Sequence, residues 1–331
     1  MTAQTAPAQT RPVQSPAALI RRRGLSPGDP ILAWSVRALS WLALAAVVLM
    51  LVNTAIHSAK LLEHESVWDF VTGAVWQPAS TVYGALPFVY GTVVTSLIAL
   101  ILAVPLGLGA ALLVNEYLPR PVAAPVAYAI ELLAAVPSVV YGFWGIIVVI
   151  PALRPIQEAV AGSPLGTIPI FAGPIAGPSY LVAGVVLAIM ILPIITSVAR
   201  DSMNATPRLQ REGALALGAT HWETIRNVVL PFARGGIFAG IILGLSRAIG
   251  ETIAVVFVIG NQPQINGSIF APGYSLPSVI ASEFAEANQP FHSEALIALG
   301  VILFVISFAV NVAARTVVSR FEARAGGADV R

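Results

Sequence analysis

Six stretches of this chain, each about 20 residues or longer, run almost without charge, and that pattern leaves few folds open. They cover roughly 36–56, 88–114, 129–151, 179–199, 235–259 and 295–317. About 20 apolar residues in a helix cross the hydrocarbon layer of a bilayer. Lipid offers the backbone no hydrogen-bond partner, and a helix satisfies its own N–H and C=O groups. The expected fold is an all-α integral membrane protein with six transmembrane helices. Composition agrees: 10% of the residues are charged and 57% are hydrophobic, whereas about 25% are charged in ordinary soluble domains. A soluble enzyme, a nucleic-acid binder and a disordered chain are thereby excluded. The chain has no cysteine, which removes disulfides, thiol catalysis and thiolate metal sites. Its only lysine is Lys60, beside 17 arginines, a skew associated with high-GC bacterial genomes.

Residues 1–33, rich in Pro, Ala, Thr and Gln, read as a disordered cytosolic tail. The first helix is expected at 34–57. It lies too far from the N-terminus for a plain signal peptide and lacks a small-residue cleavage site, so it reads as retained. Residues 58–87 read as an external loop with an interfacial segment around Trp68 and Trp76. The remaining five helices fall in a core at 88–317, with a cytosolic tail at 318–331. Arginine placement sets the orientation. Arg11, Arg21, Arg22, Arg23 and Arg37, then Arg120, then Arg200, Arg208, Arg211, Arg226 and Arg234, and finally Arg315, Arg320, Arg324 and Arg331 fall on one side. That is fifteen basic residues, against Lys60 and Arg154 opposite. Both termini are expected in the cytoplasm of a bacterial cell, with the chain in its cytoplasmic membrane.

The longest cytosolic loop, 200–234, has the composition of a helical hairpin. One helix is expected from Arg208 to Gly218 and a second from His221 to Val229, ended by Pro231. Leu215, Leu217, Trp222, Ile225 and Val229 would give it an apolar side. Such a side either docks a partner protein or packs on its own bundle. Inside the fifth apolar run, Arg247 and Glu251 are four apart, so they stack on one helix face and can pair. Gly236, Gly240 and Gly244 extend the same stripe. A charge at mid-bilayer costs at least about 2.5–3.5 kcal/mol. The pair is either part of a solute path, with Arg247 donating to an oxyanion, or a structural ion pair between helices. Glu131, ahead of a kink at Pro137, reads as an interfacial carboxylate.

Gly213 to Thr220 has the glycine spacing of a phosphate-binding P-loop, but Ala219 stands at the lysine position and no strand precedes it. His57, His64, His221 and His292 have no metal-ligand spacing. No catalytic set and no metal site are legible.

The fourth loop resembles the cytosolic signature of ABC importer permeases, an E-A-A run, a glycine after three residues, and a Leu-Pro ending. Glu212, Gly213, Ala214, Gly218, Leu230 and Pro231 match it, with Gly213 in place of the first alanine. The stretches ELLAAVPSVVYGFWG (131–145), SVARDSMNATP (197–207) and LGLSRAIGETIAVVFVIGN (243–261) are similar to C-type permease subunits of bacterial high-affinity phosphate importers. The resemblance covers most of 88–316. It implies a type I ABC importer permease whose hairpin seats in an ATPase subunit, with Arg247 and Glu251 on the transport path. It also implies partners: a second homologous permease, two ATPase subunits and an extracytoplasmic phosphate-binding protein. The chain itself would bind no cofactor, with ATP and Mg held by the ATPase subunits. Two other functions stay open on the residues alone. One is an ABC permease for molybdate, tungstate or sulfate, and the other an ion-coupled secondary transporter using Arg247 and Glu251.

Overall fold

The computed structural model describes residues 28–62 and 66–326. Arg11, Arg21, Arg22, Arg23, His64 and Arg331 lie outside these, as does most of the stretch read as an N-terminal tail. Among the described residues the chain is helical, with two isolated β-bridges and no strand. Six helices are long and apolar enough to cross a membrane: Pro30–Leu61, Leu86–Tyr117, Ser138–Ala161, Tyr180–Asn204, His221–Ile249 and His292–Thr316.

Contacts divide the chain into two units, one up to Asn53 and one from Thr54 onward. The described part of the first is the leading portion of α1 (Gly28–Leu62). Its described part opens at Gly28, inside the stretch expected to be tail. Ile31, Leu39, Trp41 and Leu49 are exposed around it, as lipid-facing side chains would be.

In the second unit α2 (Val67–Thr72) is a short surface helix. Next come α3 (Leu86–Leu112), extended by a π turn at Leu113–Tyr117, and α4 (Arg120–Ala135). Then α5 (Ser138–Trp144) passes through a π turn at Gly145–Val149 into α6 (Ile150–Ala161). The central helix is α7 (Tyr180–Asn204). The hairpin follows as α8 (Arg208–Ala216) and α9 (His221–Thr224), and a π turn at Ile225–Val229 leads into α10 (Leu230–Ile249). The chain closes with α11 (Ile253–Val258), α12 (Leu276–Glu283) and α13 (His292–Gly326). The last helix thus runs through much of the stretch expected as C-terminal tail.

Each π turn ends two residues before a proline: Pro119, Pro151 and Pro231. A proline removes one backbone donor and its ring crowds the carbonyl four residues earlier. Here that carbonyl belongs to Asn115, Ile147 or Asn227, inside the widened turn. An i→i+5 pattern at that place lets the helix absorb Pro151 and Pro231, whereas before Pro119 the helix ends at Tyr117. The expectation that Pro231 ends the hairpin's second helix is therefore corrected. His221 to Ile249 is one continuous helix, and the hairpin's second arm is the start of the fifth span.

Two other expected spans are divided. The helix expected at 129–151 is fully interrupted at Val136–Pro137, where both residues are extended. The residue before proline disfavours helical backbone. Glu131 therefore lies on α4, apart from the span. The helix expected at 235–259 stops at Ile249 and restarts at Ile253.

The core is built around α7, whose Val182, Val186, Leu187, Ile191, Ile195 and Ala199 are buried. Lipid is as apolar as leucine, so helices in a membrane associate through close packing and hydrogen bonds rather than water exclusion. The packing faces are accordingly small. On α3, Gly91, Thr95, Ala99, Ala103, Gly107 and Ala111 recur every fourth residue and are all buried. The Thr196 hydroxyl of α7 donates to the Gly107 carbonyl at 3.2 Å. On α10, a methyl group at Gly240 would lie 3.1 Å from Val198, and one at Gly244 3.1 Å from Ile195. The glycine stripe seen in the sequence thus faces α7.

At the end of the bundle away from the hairpin, Trp76 is buried with its ring edge-on to Tyr83 and Phe88, at 5.2 and 4.9 Å. Its indole N–H donates to Glu283 at 3.0 Å. Trp68, by contrast, is 72% exposed. Of the two tryptophans expected at the interface, only Trp68 is placed to reach it.

Candidate functional site

Two places combine polar chemistry with an interruption of regular structure. The first is the break in the fifth span. Gly250 ends α10, and Glu251 and Thr252 precede α11. Backbone without helical bonds at membrane depth is tolerated only inside protein or along a water-filled path. Arg247, in the last turn of α10, is exposed on this chain, while Glu251 is buried. The Glu251 carboxylate accepts from the Ala254 N–H at 3.3 Å. It therefore sits at the N-terminus of α11, where unpaired N–H groups and the helix dipole favour a negative charge. Among the described residues no ion pair within 4.0 Å joins Arg247 to Glu251. The pairing expected from their spacing is thus corrected, because a four-residue neighbour requires a continuous helix and this one ends between them.

Neighbouring elements hold the break in place. A methyl group at Gly142 of α5 would lie 2.5 Å from Phe257 and 3.2 Å from the Ala254 Cα. Only glycine lets α5 and α11 approach so closely. Tyr141, next to it, donates to the Leu133 carbonyl at 2.7 Å. Its hydroxyl lies within electrostatic reach of the Arg247 guanidinium. On the other side of α10 the Ser246 hydroxyl donates to Asn311 Oδ1 at 3.2 Å. Two of the sequence stretches that carried the resemblance, 131–145 and 243–261, are thus packed together at the break.

The second place is the hairpin. Gly218 follows α8 with φ +90°, a left-handed conformation open to glycine. Thr220 and Glu223 then form a reciprocal cap. The Glu223 N–H donates to the Thr220 hydroxyl at 3.2 Å, and the Thr220 N–H donates to the Glu223 carboxylate at 2.8 Å. Gly213, Ala214 and Pro231 come together along an apolar cleft of ≈ 590 Å³ that also takes in Leu209, Leu217 and Phe232. Leu209 and Leu217 are 82% and 91% exposed. Of the apolar side expected for this loop, Leu215, Leu217 and Trp222 are exposed, whereas Ile225 and Val229 are buried in the bundle. Glu212 and Gly218 are exposed, and Leu230 is half-buried against the cluster of Ala111, Ala199, Met203 and Val229.

The hairpin is tied to the bundle through a residue that sequence reasoning missed. Glu116, with its side chain 4% exposed, receives both oxygens' bonds from Arg211 Nη1 at 2.9 and 3.0 Å. Asn115 Nδ2 donates to it at 2.6 Å. Arg211 Nη2 also donates to the Met203 carbonyl at 2.7 Å. His221 Nε2 lies 3.3 Å from the Glu116 carbonyl. The Glu116 carboxylate thereby fastens the first arm of the hairpin, and its backbone carbonyl meets the second. Glu131 has its own partner, Arg200 Nη2, at 2.7 Å. Among the described residues no group of His, Asp and Glu side chains could hold a metal ion.

With this geometry in place the comparisons are specific. Residues 103–323 match the family described as binding-protein-dependent transport system inner membrane component. The phosphate transport system permease protein PstC of Mesorhizobium japonicum is 44% identical over 78% of this chain and 80% of its own length. The PstC of Xylella fastidiosa is 40% identical over 86% and 90%. A chain of a bacterial alginate ABC transporter, 15% identical, covers 87% of this chain and 94% of its own, with a TM-score of 0.58; at that identity it speaks for the fold alone. The chain belongs to the binding-protein-dependent transport system inner membrane component family and, within it, to the PstC permeases.

Proposed function

We propose that this chain is the permease subunit of an ATP-driven importer of inorganic phosphate, lining the membrane path together with a second, homologous permease. What carries the reading is an exposed arginine at an interrupted membrane helix, in a chain two-fifths identical to phosphate permeases over most of its length. Arginine keeps its charge at any physiological pH and presents several donors in a plane that fits an oxyanion. One such group gives a weak site, which suits a conduit. Glu251 serves the path indirectly. It caps α11, so that the break persists and Arg247 remains at its edge.

The apolar cleft along Gly213, Ala214 and Pro231 is the seat for one of two ATPase subunits, which bind ATP and Mg and carry out hydrolysis. Closure of the ATPase pair pushes on Glu212 and the rest of α8. Because His221–Ile249 is one continuous helix, that push reaches Arg247 along a rigid rod. An extracytoplasmic phosphate-binding protein delivers the ion to the opposite face. The fifteen basic residues mark the hairpin side and both termini as cytoplasmic, in the cytoplasmic membrane.

Radiolabelled phosphate uptake tests this, in cells lacking other phosphate systems and with arsenate, sulfate and molybdate as competitors. Arg247→Gln is expected to abolish uptake while the permease pair and ATPase still copurify. Retained uptake would remove Arg247 from the path. Competition by molybdate or sulfate instead of arsenate would move the substrate to another oxyanion.

A further inference from the structure

At the hairpin end, the starts of α4 and α8 and the end of α7 line a polar, partly open cavity of ≈ 480 Å³. Four arginines line it: Arg120, Arg200, Arg208 and Arg211. Two of them are already matched. Arg211 is held by Glu116, and Arg200 by Glu131, with Asp201 at 3.6 Å. The other two are not. Among the described residues no carboxylate lies within 4.0 Å of Arg120 or Arg208. These two are also the first residues of α4 and α8. The positive ends of two helix dipoles therefore add to the same field.

A second observation is independent of charge. Thr206 lines the same cavity and is 4% exposed, yet its hydroxyl has no hydrogen-bond partner. Nearly all buried polar side-chain atoms have one, so the Thr206 hydroxyl is a donor still available to an acceptor at the cavity. The Asn204 amide is in the lining too. The cavity has cationic and hydroxyl donors in excess and lacks the acceptor that would use them. A tetrahedral oxyanion supplies several acceptor oxygens and negative charge at once.

We infer that this cavity binds a phosphate group between Arg120 and Arg208, with the Thr206 hydroxyl as a further donor. The residues are separate from the break at Gly250–Thr252, so the site is distinct from the transport path. It faces the cytosol on the orientation proposed above, and only this placement rests on that reading. Two sources offer the group: free inorganic phosphate, and the headgroup of an anionic lipid at the bilayer surface. In either case the anion bridges α4 to the first residue of the hairpin and restrains α8. Were the source free phosphate, the accumulated product would brake its own import.

Hydrogen–deuterium exchange over residues 118–127 and 204–211 tests the site directly, on the complete importer in discs of phosphatidylcholine. Inorganic phosphate, against sodium chloride of equal ionic strength, is one arm. Discs containing phosphatidylglycerol, without added phosphate, are the other. At a ligand concentration ten times its Kd, exchange in both segments is expected to slow about tenfold. Slowing by inorganic phosphate identifies the free anion, and slowing in anionic discs alone identifies the headgroup. In both cases Arg120→Gln with Arg208→Gln is expected to abolish the effect, whereas Arg247→Gln leaves it intact. No slowing in either arm overturns the inference, and so does slowing that chloride reproduces or that survives the double substitution. Uptake is read separately, so failure of the phosphate-import reading and failure of this site have different signatures.

Discussion

Arg247 and Glu251 stand on opposite sides of a helix break, and the carboxylate turns to the Ala254 N–H instead of the guanidinium. The arrangement separates two roles that a paired reading would merge. If Glu251 acts as a cap, an oxygen acceptor is what it must supply. Glu251→Gln keeps a carbonyl oxygen and is expected to assemble and transport at near the parental level. Glu251→Ala leaves the first turn of α11 without its acceptor, at a cost of about 1 kcal/mol. It is expected to lower the melting temperature of the purified importer and reduce uptake several-fold. Equal losses in both variants would show that the charge itself is required.

Gly244 and Gly300 form a second contrast. A methyl group at Gly244 meets Ile195 of the central helix at 3.1 Å, whereas at Gly300 of α13 nothing lies within 4 Å. Gly244→Val is expected to force α10 away from α7, and overpacking of this kind costs about 1–3 kcal/mol. Gly300→Ala removes backbone freedom at no steric cost and is expected to be neutral or stabilising by up to about 1 kcal/mol. Thermal unfolding of the two variants, read by intrinsic fluorescence in the same detergent, checks the ordering.

The spans were legible because a bilayer rewards simple apolar length, which needs no knowledge of neighbours. Gly218 was legible as a stop because a left-handed residue after a helix favours glycine whatever surrounds it. The break at Gly250 was not, since Gly-Glu-Thr inside an apolar run leaves the hydropathy almost unchanged. It depends on α5 packing against α11 at Gly142, more than a hundred residues earlier. Glu116 was missed for the same reason. A single acid at the end of a span reads as solvated, and its partner Arg211 is 95 positions away. Trp76 looked interfacial until Glu283, 207 positions away, satisfied its N–H. One missed feature did have a local signal. Pro151 and Pro231, each two residues beyond a π turn, could have been read as tolerated prolines, not terminators.

The turn of the hairpin gives a sharper test of coupling. A methyl group at Gly218 would touch nothing within 4 Å, so the demand on this residue is conformational: φ is +90°. The left-handed region costs an ordinary L-residue about 1–2 kcal/mol, more for a β-branched one and less for asparagine. Gly218→Asn is expected to retain most phosphate-dependent ATP hydrolysis. Gly218→Val is expected to leave the ATPase active but no longer stimulated by the loaded binding protein. Measuring ATP hydrolysis and uptake on one preparation distinguishes this from simple loss of assembly. Preserved stimulation in Gly218→Val would mean that the turn's geometry does not transmit the stroke.

The last prediction concerns the fastening of the hairpin by Glu116. Its carboxylate is almost fully enclosed and takes two bonds from Arg211, whose side chain is 24% exposed. Removing one member of a buried pair strands the other, a loss of about 3–5 kcal/mol when both are fully buried. The partial exposure of Arg211 lets water recover part of that, so a loss nearer 2 kcal/mol, on the order of half, is expected here. Glu116→Ala and Arg211→Met should therefore each loosen the hairpin, and the double variant should be less damaged than the sum. A double-mutant cycle on melting temperature isolates the coupling. Arg211 also donates to the Met203 carbonyl, so Arg211→Met is expected to cost more than Glu116→Ala. The reverse order would mean that the bond from Asn115, which the Glu116 carboxylate alone accepts, carries more of the fastening than the bond from Arg211 to Met203.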